Sequence, residues 1–216
     1  ELVELMEVLD LANSKGLIVT SCHPRRFDPP FMWLKENIDS FGLGDPVNFQ
    51  FDFSYHKPTE RWKHERGLLL DHANHEIDLM NYVFGHSGFE AHRLVDTYDA
   101  YQIAGLRKDG ISINFSGTRR LESRKYLEFC KVRYERGELL LDSQKGIATV
   151  YDHDNKKIEE IDIGPTDYYN RGKGTMINFA DAINGKDKTY LSHEDLYVNT
   201  AMSVVLSKDE KWMHEE

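Results

Sequence analysis

The apolar residues of this chain repeat with two different periods, and the switches between them mark out its elements. Leu2, Leu5, Met6, Leu9 and Ala12 recur at helical spacing, so a helix is expected from the first residue to about Lys15, ended by Gly16. Leu17–Cys22 is a continuous apolar run, the pattern of a buried parallel strand. Pro24, Pro29 and Pro30 then argue for an irregular loop at the strand's end. Phe31–Ile38 reads as a helix entered through Pro30. Val47, Phe49, Phe51, Phe53 and Tyr55 alternate with polar residues and predict a long strand with one packed face. Residues 56–66 are polar and aromatic without a period. From Gly67 to Gly85 a helical period returns, carried by Ile77, Met80, Val83 and Phe84.

Between Phe89 and Ile163 short alternating runs are separated by turn signals: Lys108-Asp-Gly110, Arg136-Gly137 and the residues after His153. Repeated hairpins make an antiparallel sheet, with helices on one face and the other face open as a candidate surface for self-association. Helical spacing resumes at Tyr168–Asn184, with Met176, Ile177, Phe179, Ala180 and Ile183 as its apolar positions. Ser192-His-Glu-Asp195 has the form of a capping box, and a last helix is expected to run to about Lys208. The fold class that follows is α+β, a large mostly antiparallel sheet with helices packed on one face.

With 216 residues, 40% of them hydrophobic, the chain can bury a substantial core. Its formal charge of -10 argues against nucleic acid as the main partner, because phosphate binding wants a basic surface. No apolar run approaches the roughly 20 residues that cross a bilayer. Cys22 and Cys130 sit apart in apolar contexts and read as buried reduced thiols, which fits the cytoplasm. The first helix begins without an N-cap residue, so the chain is expected to start inside a larger protein.

The densest chemistry lies at residues 71–78, where Asp71, His72, His75, Glu76 and Asp78 adjoin an apolar helix face. Asp71 and His75 are four apart, so on a helix the carboxylate can orient the ring and support its charged form. Such a histidine can give or take a proton near neutral pH. The same residues contain good metal ligands, but their order is not that of a zinc protease helix, and no metal is expected. A third reading keeps Asp71 as an N-terminal helix acid and His75 as a satisfied core histidine. Arg25 and Arg26, in a loop after a strand, could meet a ligand or pair with an acid.

Three stretches together resemble the C-terminal part of the Gfo/Idh/MocA oxidoreductases: Pro24-Arg-Arg-Phe-Asp-Pro29, the Gly-x-x-x-Asp-x-x-x-His-x-x-Asp pattern from Gly67, and the helix ending at Gly185. The resemblance implies a substrate-binding and oligomerisation domain over residues 23–216, like the C-terminal domain of glyceraldehyde-phosphate dehydrogenase or dihydrodipicolinate reductase. Residues 1–22 would be the last helix and strand of a truncated Rossmann domain. It further implies His75 as the proton donor or acceptor, Asp71 as the acid beside it, and Arg26, Trp62 and Lys63 as substrate contacts. The full-length parent would use NAD or NADP on a sugar or polyol and form a homo-oligomer. Gly42-Leu-Gly44 and Gly172-Lys-Gly174 lack the dinucleotide pattern, and the family's Glu-Lys-Pro lysine would precede Glu1. The chain alone is therefore expected to bind no cofactor and to be inactive. The alternative is a non-catalytic sugar-binding or assembly module that keeps the fold.

Overall fold

The computed structural model describes residues 2–56, 67–121, 126–208 and 211–214. Trp62 and Lys63 lie outside them. Helix α1 (Leu2–Lys15) is followed by a 3₁₀ turn (Pro24–Phe27), α2 (Pro29–Asn37), strand β1 (Pro46–Tyr55) and α3 (Gly67–Phe84). Next come β2 (Phe89–Asp96), β3 (Ala100–Arg107), β4 (Ser112–Thr118), β5 (Tyr126–Tyr134), β6 (Gly137–Asp142), β7 (Ile147–Asp152) and β8 (Lys157–Asp162). Helices α4 (Tyr168–Ile183) and α5 (His193–Leu206) and a short strand β9 (Lys211–His214) close the chain.

Among the described residues the strands form one sheet in the order β8-β7-β6-β5-β1-β4-β3-β2-β9. Every neighbouring pair is antiparallel except β1 and β4, which run parallel with Phe51 opposite Phe115. That parallel pair needs a crossover, and α3 together with the β2–β3 hairpin provides it. The alternation of β1 places Phe49, Phe51 and Phe53 on the core face. There they meet Leu69, Ala73, Ile77 and Met80 of α3 and Met202 of α5 in one cluster. Full burial of each such side chain contributes about 1.5–3 kcal/mol, and it sets which face of β1 turns inward. Asn48, Gln50, Asp52 and Ser54 face the opposite side, paired with polar positions of β4.

The turns obey the expected chemistry. Gly110 closes the β3–β4 hairpin at φ 92°, and Asn155 takes φ 58° in the β7–β8 turn. Ser192 and Asp195 form a complete capping box at α5.

Five expectations need correction. Among the described residues Leu17–Cys22 pairs with no strand of the sheet, and without a ladder an apolar run has nothing to hold it as a strand. Cys22 in consequence is exposed, whereas Cys130 on β5 is buried. The proline loop contains a regular 3₁₀ turn, because Pro24 occupies a first-turn position where no N–H is required. Strand β9 was not foreseen, since four residues are too few to display a period. Met176, Ile177 and Ile183 of α4 face outward, while Arg171, Thr175 and Ala182 turn inward. Charge pairing by Arg171, described below, sets that rotation.

Candidate active site

The 3₁₀ turn sends its two adjacent arginines in different directions. Arg26 points toward α3 and α5. It grips Asp78 through Nε at 3.1 Å to each carboxylate oxygen and through Nη2 at 2.7 Å. Nη2 also reaches Asp195 at 2.7 Å, and Nη1 donates to the Tyr190 carbonyl at 2.9 Å. Asn199 completes Asp78 with a 2.9 Å bond. Arg26, expected to touch substrate, is held by these bonds between α3 and α5. Asp78 is its structural partner.

Arg25 turns instead toward the sheet. Its guanidinium lies 5.2 Å and 5.3 Å from the ring centres of Phe51 and Phe53 and donates to Glu128 of β5. It also stands 3.5 Å from Glu76. Arg171 of α4 reaches Asp28 at 2.9 Å and Glu128 at 3.7 Å, and Ser143 donates to Glu128 at 3.0 Å. Asp28 further accepts from Thr166 at 3.0 Å. Burial pushes the Asp28 carboxyl above its usual value against the pull of Arg171. Two guanidinium groups therefore meet three buried carboxylates, Asp28, Glu76 and Glu128, within the protein itself.

Above this network opens a cleft of about 180 Å³, lined by Pro24, Arg25, Phe53, His72, His75, Tyr168 and Arg171. His75 lies between two other imidazoles, its ring centre 5.1 Å from that of His23 and 5.4 Å from that of His72. Burial holds His75 well below the ordinary histidine value, reinforced by Arg25, His72, His23 and Arg171. These influences keep it a neutral ring. Burial lowers His23 as well, against the attraction of Asp78. Asp71 is not among the leading influences on His75; its charge acts on the Tyr55 hydroxyl instead.

His72 Nδ1 lies 2.8 Å from Glu76 Oε1, a buried oxygen that makes no hydrogen bond among the described residues. Tyr101 donates to the other oxygen of Glu76 at 2.7 Å. Burial and the adjacent carboxylate push the Tyr101 hydroxyl well above its usual range, which keeps it a donor. The i, i+4 spacing of His72 and Glu76 was visible in the sequence. Arg171, Glu128 and Tyr101 carried no local signal. Among the described residues no three of His, Cys, Asp and Glu are grouped to hold a metal ion.

Residues 31–136 match the model of the GFO/IDH/MocA C-terminal domain. The chain carries a Gfo/Idh/MocA C-terminal domain. The matched stretch runs from α2 to the β5–β6 turn and so includes α3 with His72 and His75. The uncharacterized oxidoreductase YhhX of Escherichia coli (strain K12) is 34% identical over 87 residues, 39% of this chain and 25% of that protein. The scyllo-inositol 2-dehydrogenase (NADP(+)) IolW of Bacillus subtilis (strain 168) is 30% identical over 80 residues, 34% of this chain and 22% of that protein. The matches thus span about a quarter of these curated relatives. Solved structures extend the likeness of fold. The UDP-N-acetylglucosamine 3-dehydrogenase GnnA of Acidithiobacillus ferrooxidans superposes with a TM-score of 0.74 at 14% identity, over 94% of this chain and 65% of that one. An Agrobacterium radiobacter oxidoreductase, solved with NAD+, L-tartaric acid and magnesium, gives 0.79 at 14% identity, over 99% and 69%. One of the sequence relatives is named for an inositol, and the solved structures share the fold.

The two glycine pairs sit in a loop and inside a helix. Gly42 and Gly44 take φ of 65° and 82° in the loop before β1, and Gly174 lies inside α4 against the Phe27 ring. Neither pair joins a strand to a helix N-terminus, the arrangement that cradles a dinucleotide pyrophosphate.

Proposed function

We propose that this chain is the substrate-binding half of an NAD(P)-dependent oxidoreductase that acts on a hydroxyl or carbonyl of a sugar or polyol. The observation that carries the reading is the cleft itself. Its arginines are neutralised by buried carboxylates of the same chain, so it offers directional donors and acceptors without a bare positive field. That suits a neutral polyhydroxy compound better than a phosphate. His75, held neutral at the cleft, accepts the hydroxyl proton in oxidation and returns it in reduction. Asp71, one turn before it, acts on substrate and on the local field. Trp62 and Lys63 would extend the substrate wall.

The dinucleotide belongs to other parts of the protein, and residues 1–22 are read as the end of that nucleotide-binding domain. Val3, Val8 and Leu11 on α1 and Met176, Ile177 and Ile183 on α4 are exposed apolar residues on which such a domain can rest. The superposed relatives are longer than this chain, which agrees. On this reading the isolated chain binds no NAD(P). The sheet face away from the helices is the surface for self-association. Leu94, Leu106 and Met213, each more than half exposed, border a groove of about 540 Å³ there. Among the described residues no helix is long and apolar enough to cross a membrane.

The test is turnover of NAD+ or NADP+ by the full-length protein across a panel of inositols, hexoses and sugar acids. His75→Ala should abolish turnover while cofactor affinity holds. Asp71→Asn should displace the pH profile. A protein that binds a polyol without any turnover would instead be the non-catalytic module.

A further inference from the structure

We propose that Tyr168, at the start of α4, is a specificity-determining residue of the cleft, a platform on which the C–H face of a cyclic polyol lies. The proposal rests on the reading above that the cleft receives a sugar or polyol. It goes beyond that reading in assigning the residue that tells a ring-closed substrate from an open-chain one.

The sequence puts an aromatic residue directly after a helix cap. Asp167 accepts from the backbone N–H of Tyr169 at 2.9 Å and of Asn170 at 3.1 Å, which fixes the first turn of α4. Tyr168 and Arg171 are three apart and share one face of the helix. The Arg171 guanidinium lies over the Tyr168 ring, 4.0 Å from its centre. Arg171 is itself buried and tied to Asp28 at 2.9 Å and to Glu128 at 3.7 Å. Its place is set by buried carboxylates, and its contact with the ring sets the ring in turn. Gly174 seats the same helix against the Phe27 ring, where a Cβ would overlap.

The ring held in this way lines the cleft and is 55% exposed. That combination separates it from Phe53, the other carbocyclic ring of the cleft wall. Phe53 is 6% exposed, stacks on His72 with ring centres 3.5 Å apart, and has the Arg25 guanidinium 5.3 Å from its centre. Tyr169 is exposed too, but it is not among the residues that line the cleft, because successive helical side chains point about 100° apart.

A cyclic polyol with equatorial hydroxyls carries its C–H bonds axially, and these give each side of the ring an apolar patch. The face of an aromatic ring is negative and attracts the positive end of such bonds. The hydroxyls then lie at the rim of the substrate, where the donors and acceptors of the cleft can meet them. An open chain must first be ordered to present a comparable patch, which costs conformational entropy. The cleft holds about 180 Å³, against roughly 300–1,000 Å³ for typical small-molecule sites, and so suits a single ring.

The experiment titrates the full-length, NAD(P)-loaded protein by calorimetry with scyllo-inositol, a ring with every hydroxyl equatorial, and with D-glucitol, an open chain of six carbons. Wild type, Tyr168→Ala, Tyr168→Phe and Tyr169→Ala are compared. An aromatic contact of about 0.5–1.5 kcal/mol corresponds to about 2–13-fold in affinity. Tyr168→Ala should weaken scyllo-inositol by that factor and D-glucitol by less than twofold. Tyr168→Phe keeps the ring and should recover the loss, and Tyr169→Ala should bind as wild type does. Unchanged binding of scyllo-inositol by Tyr168→Ala, an equal loss for both compounds, or an equal loss in Tyr169→Ala overturns the proposal. A wild type that turns over a polyol of the panel but binds scyllo-inositol no better than D-glucitol overturns it as well and leaves the proposed function standing. A wild type that turns over none, yet binds scyllo-inositol through Tyr168, overturns the proposed function and leaves the platform standing. Should Tyr168→Ala not fold, proton spectra of scyllo-inositol with the wild-type protein decide. An upfield ring-current shift of its C–H signals on binding supports the platform, and an unshifted spectrum overturns it.

Discussion

Replacing Arg26 by glutamine tests the assignment of that residue as a clamp. The wild-type guanidinium makes five contacts within 3.1 Å, to Asp78, Asp195 and the Tyr190 carbonyl. Asp78 is 1% exposed and, among the described residues, would keep only the Asn199 bond. Asp195 would keep its Ser192 cap bonds at 2.7 and 2.8 Å and His86 at 3.1 Å. The variant therefore strands mainly one buried carboxylate. Removal of one partner from a buried ion pair costs about 3–5 kcal/mol, most of it for the charge left behind. At roughly 2–4 °C per kcal/mol for a chain of this size, the midpoint should fall by about 6–20 °C. Urea denaturation followed by circular dichroism measures the change directly. The further substitution Asp78→Asn should recover a large part of it, since it removes the stranded charge. A loss below about 0.5 kcal/mol, the range of ordinary surface substitutions, would refute the clamp and return Arg26 to the substrate side.

Other expectations follow from the same geometry. His75 is held below its ordinary value of 6.5 in the folded protein, so from about that pH downward the unfolded chain binds a proton that the folded one does not. Stability should fall with acidification through that window, by at most about 1.4 kcal/mol per pH unit for one proton, and His75→Gln should flatten the fall in urea titrations at successive pH values. A Cβ on Gly117 would overlap the Tyr101 ring, so Gly117→Ala should destabilise by about 1–3 kcal/mol and loosen the Tyr101–Glu76 bond, read from the tyrosine absorbance and the melting curve. Ser192→Ala removes the accepted Asp195 N–H and should cost about 1 kcal/mol, detectable as a shift in the urea midpoint.

The sequence by itself determined the elements wherever a side chain's fate depends on its near neighbours. The alternation of β1, the amphipathic period of α3, the hairpin turns and the α5 capping box are local relations between a residue and its own backbone, and each is present at or near its expected limits. The family pattern around Gly67–Gly85 was legible for the same reason. Only the tertiary structure decided the site. Arg25 and Arg26 are neighbours of like chemistry, and a 3₁₀ turn separates successive side chains by about 120°, so which one enters the cleft depends on partners elsewhere. Those partners, Glu128 for Arg25 and Asp78 and Asp195 for Arg26, are 103, 52 and 169 residues away. The setting of His72 and Glu76 is likewise fixed by Phe53, which stacks on the His72 ring, and Tyr101, which donates to Glu76, and these come from two strands of the sheet. A run such as Leu17–Cys22 has the composition of a strand, but a strand exists only where another strand meets it, and that is a property of the whole fold. Local periodicity is set by the backbone's own geometry. Pairing of buried charge is set by distance in space, which periodicity does not encode.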